Sequence, residues 1–202
     1  MFVPPIHQDD RRDVLFDTIR SKSFGTLITQ GQHGIDLTHL PFLVDGEALV
    51  GHVARANKQW QATVPGTEAV ASFVVDDAYI HPGWYPSKAQ HGRAVPTWNY
   101  IAVEARGPIE WFHDDDALRD MLHQLTADHE NPRHDPWTMS DAPSHYIDAM
   151  MKAIVGFRMN VEDLKGAWKI DQHKSDKDRH SVADGIAQEK PHSIIPNNMR
   201  AL

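Results

Sequence analysis

The chain reads as a mainly β protein with added helices, an antiparallel, barrel-type sheet, and three observations predict it. The runs "SFGTLIT" (23–29), "IDLTHLPFLV" (35–44) and "ALVGHVAR" (48–55) are separated only by the turn-forming pieces "TQGQHG" and "VDGE", the close spacing of hairpins and all-β sheets. No helix-length segment falls between these strands, which excludes parallel βαβ units and a Rossmann arrangement. From Asp114 onward the apolar period lengthens to that of a helix.

Taken in order, the first element is a helix over "DDRRDVLFDTIRSK" (9–22), with an Asp near its start and Leu15 and Ile19 one turn apart, placed to cover one end of the barrel. Two further strands, "EAVASFVV" (68–75) and "WNYIAVEARG" (98–107), follow the three above. Pro41 cannot donate to a ladder, so "THLPF" marks an edge or a bulge. A helix over 114–130 follows from Leu118, Met121, Leu122 and Leu125 behind an Asp-rich first turn. A second over 144–154 repeats the spacing with Ile147, Met150, Met151 and Ile154, and "VGFRMNV" then returns as a strand that closes the barrel. The polar end carries one short helix around 177–188 and a mobile terminus. The expected division is therefore a barrel domain over 1–175, with both helices inserted, and a polar helix and tail over 176–202.

Composition narrows the function classes. At 202 residues, 41% hydrophobic and 24% charged, one main globular domain is expected. No apolar run approaches the ~20 residues of a membrane span, and "MFVPPIHQDDRRD" lacks the apolar stretch of a secretory signal, so a soluble, cytoplasmic protein with no membrane partner is expected. The absence of Cys excludes disulfides, thiolate nucleophiles and Cys-based metal sites. Fourteen His are present, but His123, His129 and His134 are six and five apart, without metal-ligand spacing, so no metal is expected. No G-x-S-x-G elbow or phosphate-binding loop appears, which removes serine hydrolysis and nucleotide hydrolysis. A net charge of −8 and the lack of a clear helix-turn-helix argue against direct DNA binding. Any such binding must use a local patch such as Arg11, Arg12, Arg20 and Lys22.

Two constellations could carry chemistry. "GHVARANKQW" crowds Gly51, His52, Arg55, Asn57 and Lys58 at a strand end before Trp60. An Arg fork with Lys and Asn donors suits phosphate, and a solvated loop has the same composition. The stretches "YIHPGWYP" (79–86) and "VPTWNY" (95–100) together hold two of the six Trp and three of the four Tyr. Such side chains wall a planar ligand or fill a core corner, and both readings stand for Trp84, Tyr85, Trp98 and Tyr100. A cationic strand end beside flat aromatic groups in an antiparallel barrel suits a flavin. No acid, base or nucleophile declares itself, so enzymatic activity is left undecided.

The blocks "MFVP", "SFGTLIT", "THLPF", "GHVARANKQW", "YIHPGWY", "VPTWNY", "IVGF" and "GAWKIDQHKSDKDR", in this order over almost the whole chain, resemble the PaiB family, described as FMN-binding negative transcriptional regulators. Lys58, His81, Gly83 and the "DQHKS" run depart from its pattern, although Gln172 and Lys174 keep amide and cationic character. The resemblance implies the split β-barrel of pyridoxamine-phosphate-oxidase-like flavoproteins, FMN as cofactor, and a homodimer with two flavin sites across the subunit interface. The residues it implies are Arg55, Asn57 and Lys58 at the phosphate, Thr38, His39, Trp98 and Asn99 near the ring, with His52, Tyr100 and Lys174 in the same set. Three functions fit it: a repressor acting as redox or ligand sensor, a flavin-dependent oxidoreductase, and, more remotely, a haem-binding relative using a His as axial ligand. Fold-level likeness does not choose among them.

Overall fold

A computed structural model describes residues 1–202. The strands are β1 (Gln8–Asp9), β2 (Phe24–Gly31), β3 (Gly34–Pro41), β4 (Leu43–Asp45), β5 (Ala48–Ala54), β6 (Glu68–Ile80), β7 (Thr97–Phe112), β8 (Ile154–Asn160) and β9 (Asp163–Lys169). The helices are α1 (Arg12–Lys22), α2 (Gln59–Ala62), α3 (Lys88–His91), α4 (Asp115–Glu130), α5 (Ser144–Met151), α6 (Asp176–Glu189) and α7 (Ile195–Arg200). Hydrogen bonding orders the strands β3-β2-β6-β7-β8-β5-β4, with β9 paired to β7 and to the short β1. The architecture is a mainly antiparallel sheet with helices, as the hairpin spacing predicts. No helix is long and apolar enough to cross a membrane.

Two compact units divide the chain. The second comprises Phe16–Ser72 and Ala105–Leu164. In it β2 and β3 pair from Phe24↔Pro41 to Gly31↔Gly34, and β2 pairs on its other side with Val70–Ser72 of β6. Alternation sends Leu27 inward, fully buried, while Ile35 and Leu37 of β3 and Phe24 of β2 stand on an exposed face. Phe157 of β8 meets Phe42 and Trp111 edge to face, each with ring centroids 5.7 Å apart. On the other face α4 and α5 lay Leu118, Met121, Leu125, Ile147 and Met151 on Leu43 and Val50. The predicted start of α4 holds, since the Asp114 carboxylate accepts the Ala117 N–H at 2.9 Å and Asp115 and Asp116 lie in the first turn. Gly156 permits close packing here, because a Cβ would lie 2.3 Å from the Phe112 ring.

The expected strand 35–44 is two strands. Pro41 ends β3, and Phe42, 2% exposed, gives its N–H to the Ser23 carbonyl at 2.8 Å before β4 begins. β6 and β7 run to 13 and 16 residues, longer than their sequence signals.

The first unit comprises Met1–Leu15, Phe73–Glu104 and Lys165–Leu202. Its core gathers Ile80, Tyr85, Ile101, Ile170, Val182, Ile186, Ile195 and Met199. The polar C-terminal segment, expected as a helix and a mobile end, thus supplies core through both α6 and α7, with Ile195 and Met199 fully buried. Only two or three apolar side chains per helix face inward, too few to outweigh the charged residues in a composition-based reading. β9 escaped notice for a similar reason, as Lys165 and Lys169 interrupt its apolar pattern.

Candidate functional site

In the second unit the "GHVARANKQW" block folds into a closed hydrogen-bond nest. Asn57 Nδ2 donates to Thr38 Oγ1 at 2.7 Å, and the Thr38 hydroxyl donates to Gln59 Oε1 at 2.6 Å. The Gln59 backbone N–H returns to Asn57 Oδ1 at 3.0 Å, and its Nε2 donates to Thr29 Oγ1 at 3.1 Å. Gln59 is 2% exposed and is the hub of this nest. Sequence reasoning missed it, because a buried Gln has no periodicity to betray it and its only signal is its place beside Asn57 and Lys58.

The other residues of this set disperse. Strand alternation sends His39 to the face opposite Thr38, where its Nδ1 lies 2.9 Å from the hydroxyl of its cross-strand partner Thr26. The Arg55 guanidinium donates from Nε to the Lys152 carbonyl at 2.7 Å and from Nη2 to the Ile154 carbonyl at 3.0 Å. Its fork therefore clamps the α5–β8 connection. Lys58 is exposed at the start of α2. His52, half-buried on β5, keeps its Nδ1 inaccessible and unpaired. Burial pushes this imidazole below its ordinary value, so it is neutral near pH 7.

In the first unit the two aromatic stretches separate, Tyr85 into the core and Trp98 onto the surface. Tyr85 is 4% exposed in the core, and its hydroxyl donates to Asp171 Oδ2 at 2.8 Å. Burial, and then the hydrogen bond to Asp171 and that carboxylate's charge, push the phenol far up. Trp98 is 55% exposed and meets Tyr79 edge to face at 5.8 Å. Between these extremes, Asn99 is fully buried, with neither its Oδ1 nor its Nδ2 hydrogen-bonded. Tyr100 is half-buried next to it on β7.

Behind "VPTWNY" lies a cavity of about 420 Å³ lined by Tyr85, Arg93, Val95, Thr97, Lys169, Asp171, His173 and Lys174. Lys174 Nζ stands 5.0 Å from the Tyr85 ring centroid. Lys169 Nζ donates to Thr97 Oγ1 at 2.8 Å and to the Trp98 carbonyl at 2.7 Å. Asp171 holds a φ of 61°, a left-handed conformation that a non-glycine residue adopts at a cost. Of the cations in this group only Lys174 was expected from sequence, and Tyr85 stood among the aromatic candidates. Arg93 and Lys169 are isolated cations in sequence, and only the fold brings them together.

This geometry can be set beside known proteins. The chain is 28% identical over 194 residues to the Bacillus subtilis protease synthase and sporulation protein PAI 2, covering 94% of this chain and 91% of the relative. Among solved structures, a conserved hypothetical protein of Mycobacterium tuberculosis superposes with a TM-score of 0.60 at 16% identity, over 86% of this chain and 92% of that one. An FAD and haem binding protein of Mycobacterium smegmatis does so with a TM-score of 0.59 at 17% identity, over 85% and 78%. At such identities the structural likeness establishes the split-barrel fold alone. The family model described as "Putative FMN-binding domain" matches residues 1–163, most of the chain, and with the PAI 2 likeness it makes this protein a PaiB-like member of that FMN-binding family.

Proposed function

We propose that the chain is an FMN-dependent, homodimeric regulator of the PaiB type, responding to a ligand or to redox state and acting without reading DNA itself. The observation that carries the flavin reading is Asn99. A fully buried amide with both polar atoms unpaired costs about 1–3 kcal/mol per group, and such groups call for a partner outside the chain's own hydrogen bonds. The edge of a flavin ring, which presents N–H and C=O side by side, matches an amide's donor and acceptor. Trp98 and Tyr100 flank Asn99 on β7 with their side chains on the opposite strand face, where Trp98 offers exposed apolar area. The resemblance adds Arg55, Asn57 and Lys58 as phosphate contacts. Of these Lys58 presents an exposed cation, whereas Asn57 is tied into the Thr38–Gln59 nest and Arg55 to backbone carbonyls. FMN, when bound, supplies reversible electron uptake; these side chains bind and orient it.

The dimer rests on the resemblance and on Phe24, Ile35 and Leu37, 56%, 70% and 59% exposed on one face of the β2–β3 hairpin. Three large apolar side chains on one exposed face, Ile35 and Leu37 adjacent and Phe24 beyond the Thr26–His39 pair, are a candidate contact surface.

A flavin-dependent oxidoreductase is the second reading, and one observation agrees with both readings in leaving DNA uncontacted. The basic patch on and before α1 is internally paired, Arg11 with Asp9 and Arg20 with Asp17 at 2.6 Å. Little cationic surface is left there for a DNA backbone.

Titration of FMN and of riboflavin into the apoprotein, with light scattering on the same samples, tests the proposal. Binding of both flavins by a dimer is expected. A protein that takes up no flavin at millimolar concentration, or that carries a Soret band instead, overturns it. Electron transfer from a reduced nicotinamide to the bound flavin would move the assignment to the oxidoreductase.

A further inference from the structure

The cavity behind "VPTWNY" has a charge that the chain as a whole does not share. The protein carries a net charge of −8, yet Arg93, Lys169 and Lys174 converge on this one cavity with His173 beside them. Two carboxylates lie near. Asp171 is turned to the Tyr85 hydroxyl, and Asp178, whose ionised form is favoured in part by Lys174, accepts the Ser87 N–H at 2.9 Å. Lys169 spends its hydrogen bonds on a hydroxyl and a carbonyl, both neutral, and Lys174 stands over an aromatic face. No ion pair within the chain neutralises Arg93, Lys169 or Lys174. Three cations thus face a carboxylate bound to a phenol and a second that lies outside the lining, an excess of positive charge whose field a walled cleft focuses.

From this geometry we infer that the cavity is a binding site for a phosphate dianion carried on an organic body. A guanidinium fork and two ammonium groups match phosphate oxygens, the first by paired N–H donors and the others as point charges. At about 420 Å³ the space far exceeds a phosphate group, and Ala94 and Val95 line part of it, so a phosphate ester fits better than the free ion. The strained turn at Asp171 supports the arrangement. The Lys174 N–H bonds back to the Asp171 carbonyl at 2.9 Å, which presents His173 and Lys174 at the rim. The ester is either FMN itself or a second phosphorylated ligand, and the site holds independently of whether flavin binds.

The test titrates inorganic phosphate, FMN and riboflavin at low salt into the wild type and the variants Arg93→Glu and Lys174→Met, with Lys22→Ala, an exposed cation at the end of α1, as a control outside the cavity. Arg93 is exposed, so its variant should fold normally, and circular dichroism checks this. Phosphate should bind the wild type and Lys22→Ala alike, and at least about tenfold more weakly to the two cavity variants. If FMN is the ester, phosphate competes with FMN but not with riboflavin, and the cavity variants lose FMN affinity while keeping riboflavin. If a second ligand is the ester, phosphate binds the flavin-loaded protein as well as the apoprotein and does not exclude FMN. Phosphate binding to a protein that takes no flavin would sink the flavin reading and leave this one standing. Absence of phosphate binding to the wild type, or binding that both folded cavity variants retain in full, overturns the inference.

Discussion

Replacing Asn99 by Val is the perturbation that separates a ligand-directed amide from a structural one. Asn99 sits on β7 with its side chain fully buried and both polar atoms unpaired. Val has a similar volume and favours strands. In the apoprotein, removing the unpaired amide should therefore stabilise the fold by about 1–3 kcal/mol, or about 2–4 °C in Tm for each kcal/mol at this chain length. In the flavin complex the same change removes ring hydrogen bonds, each worth about 0.5–1.5 kcal/mol, and weakens binding about two- to tenfold per bond. FMN and riboflavin should lose affinity alike, because the ring is common to both. Thermal unfolding of the apoprotein and fluorescence titration of both flavins measure the two effects. A variant with a lower apo Tm and unchanged flavin affinity would refute the reasoning, since the amide would then serve the fold.

Three other outcomes follow from the geometry. Arg55→Ala should lower stability by about 1–3 kcal/mol through its two carbonyl bonds, with little loss of FMN; an unchanged Tm with a large FMN loss would return Arg55 to the phosphate. Burial holds the folded His52 below its unfolded value of 6.5, so protonation favours the unfolded state; stability should be complete above about pH 6.5 and decline as pH falls below it, by at most about 1.4 kcal/mol per pH unit, and in His52→Gln denaturation curves between pH 5 and 7 should lack that share of the slope. Leu37→Glu should convert a dimer into a folded monomer on light scattering, since Leu37 is 59% exposed in the single chain; a variant that stays dimeric places the interface elsewhere.

The hairpins and the helices α4 and α5 were legible because their apolar residues repeat at two and at three to four. The break at Phe42 was half legible, since Pro41 announced an interruption but not its form. β9 and α7 were not legible, because their inward residues are outnumbered by Lys, Asn and Gly. At the candidate site, sequence adjacency misled in a regular way. Thr38 and His39 are neighbours in the chain, and a strand must send neighbours to opposite faces. Arg55 offered a phosphate-binding fork, but which acceptors the fork meets depends on where Lys152 and Ile154 return, almost a hundred residues later. Arg93, Lys169 and Lys174 share a cavity for the same reason, and no local pattern encodes it.

The Lys169 ammonium, which reaches from β9 to the Thr97 hydroxyl and the Trp98 carbonyl, belongs to two structures at once. It lines the anion cavity and also fixes the backbone from which Trp98 and Asn99 project. An anion that draws on this ammonium must alter its hold on Trp98, and a planar ligand that shifts Trp98 must alter what the ammonium can offer an anion. By thermodynamic necessity the two effects are equal: whatever factor the anion imposes on the affinity for the planar ligand, that ligand imposes on the anion. If both proposed sites are occupied, this single lysine makes them one coupled system, in which filling either one sets the affinity of the other.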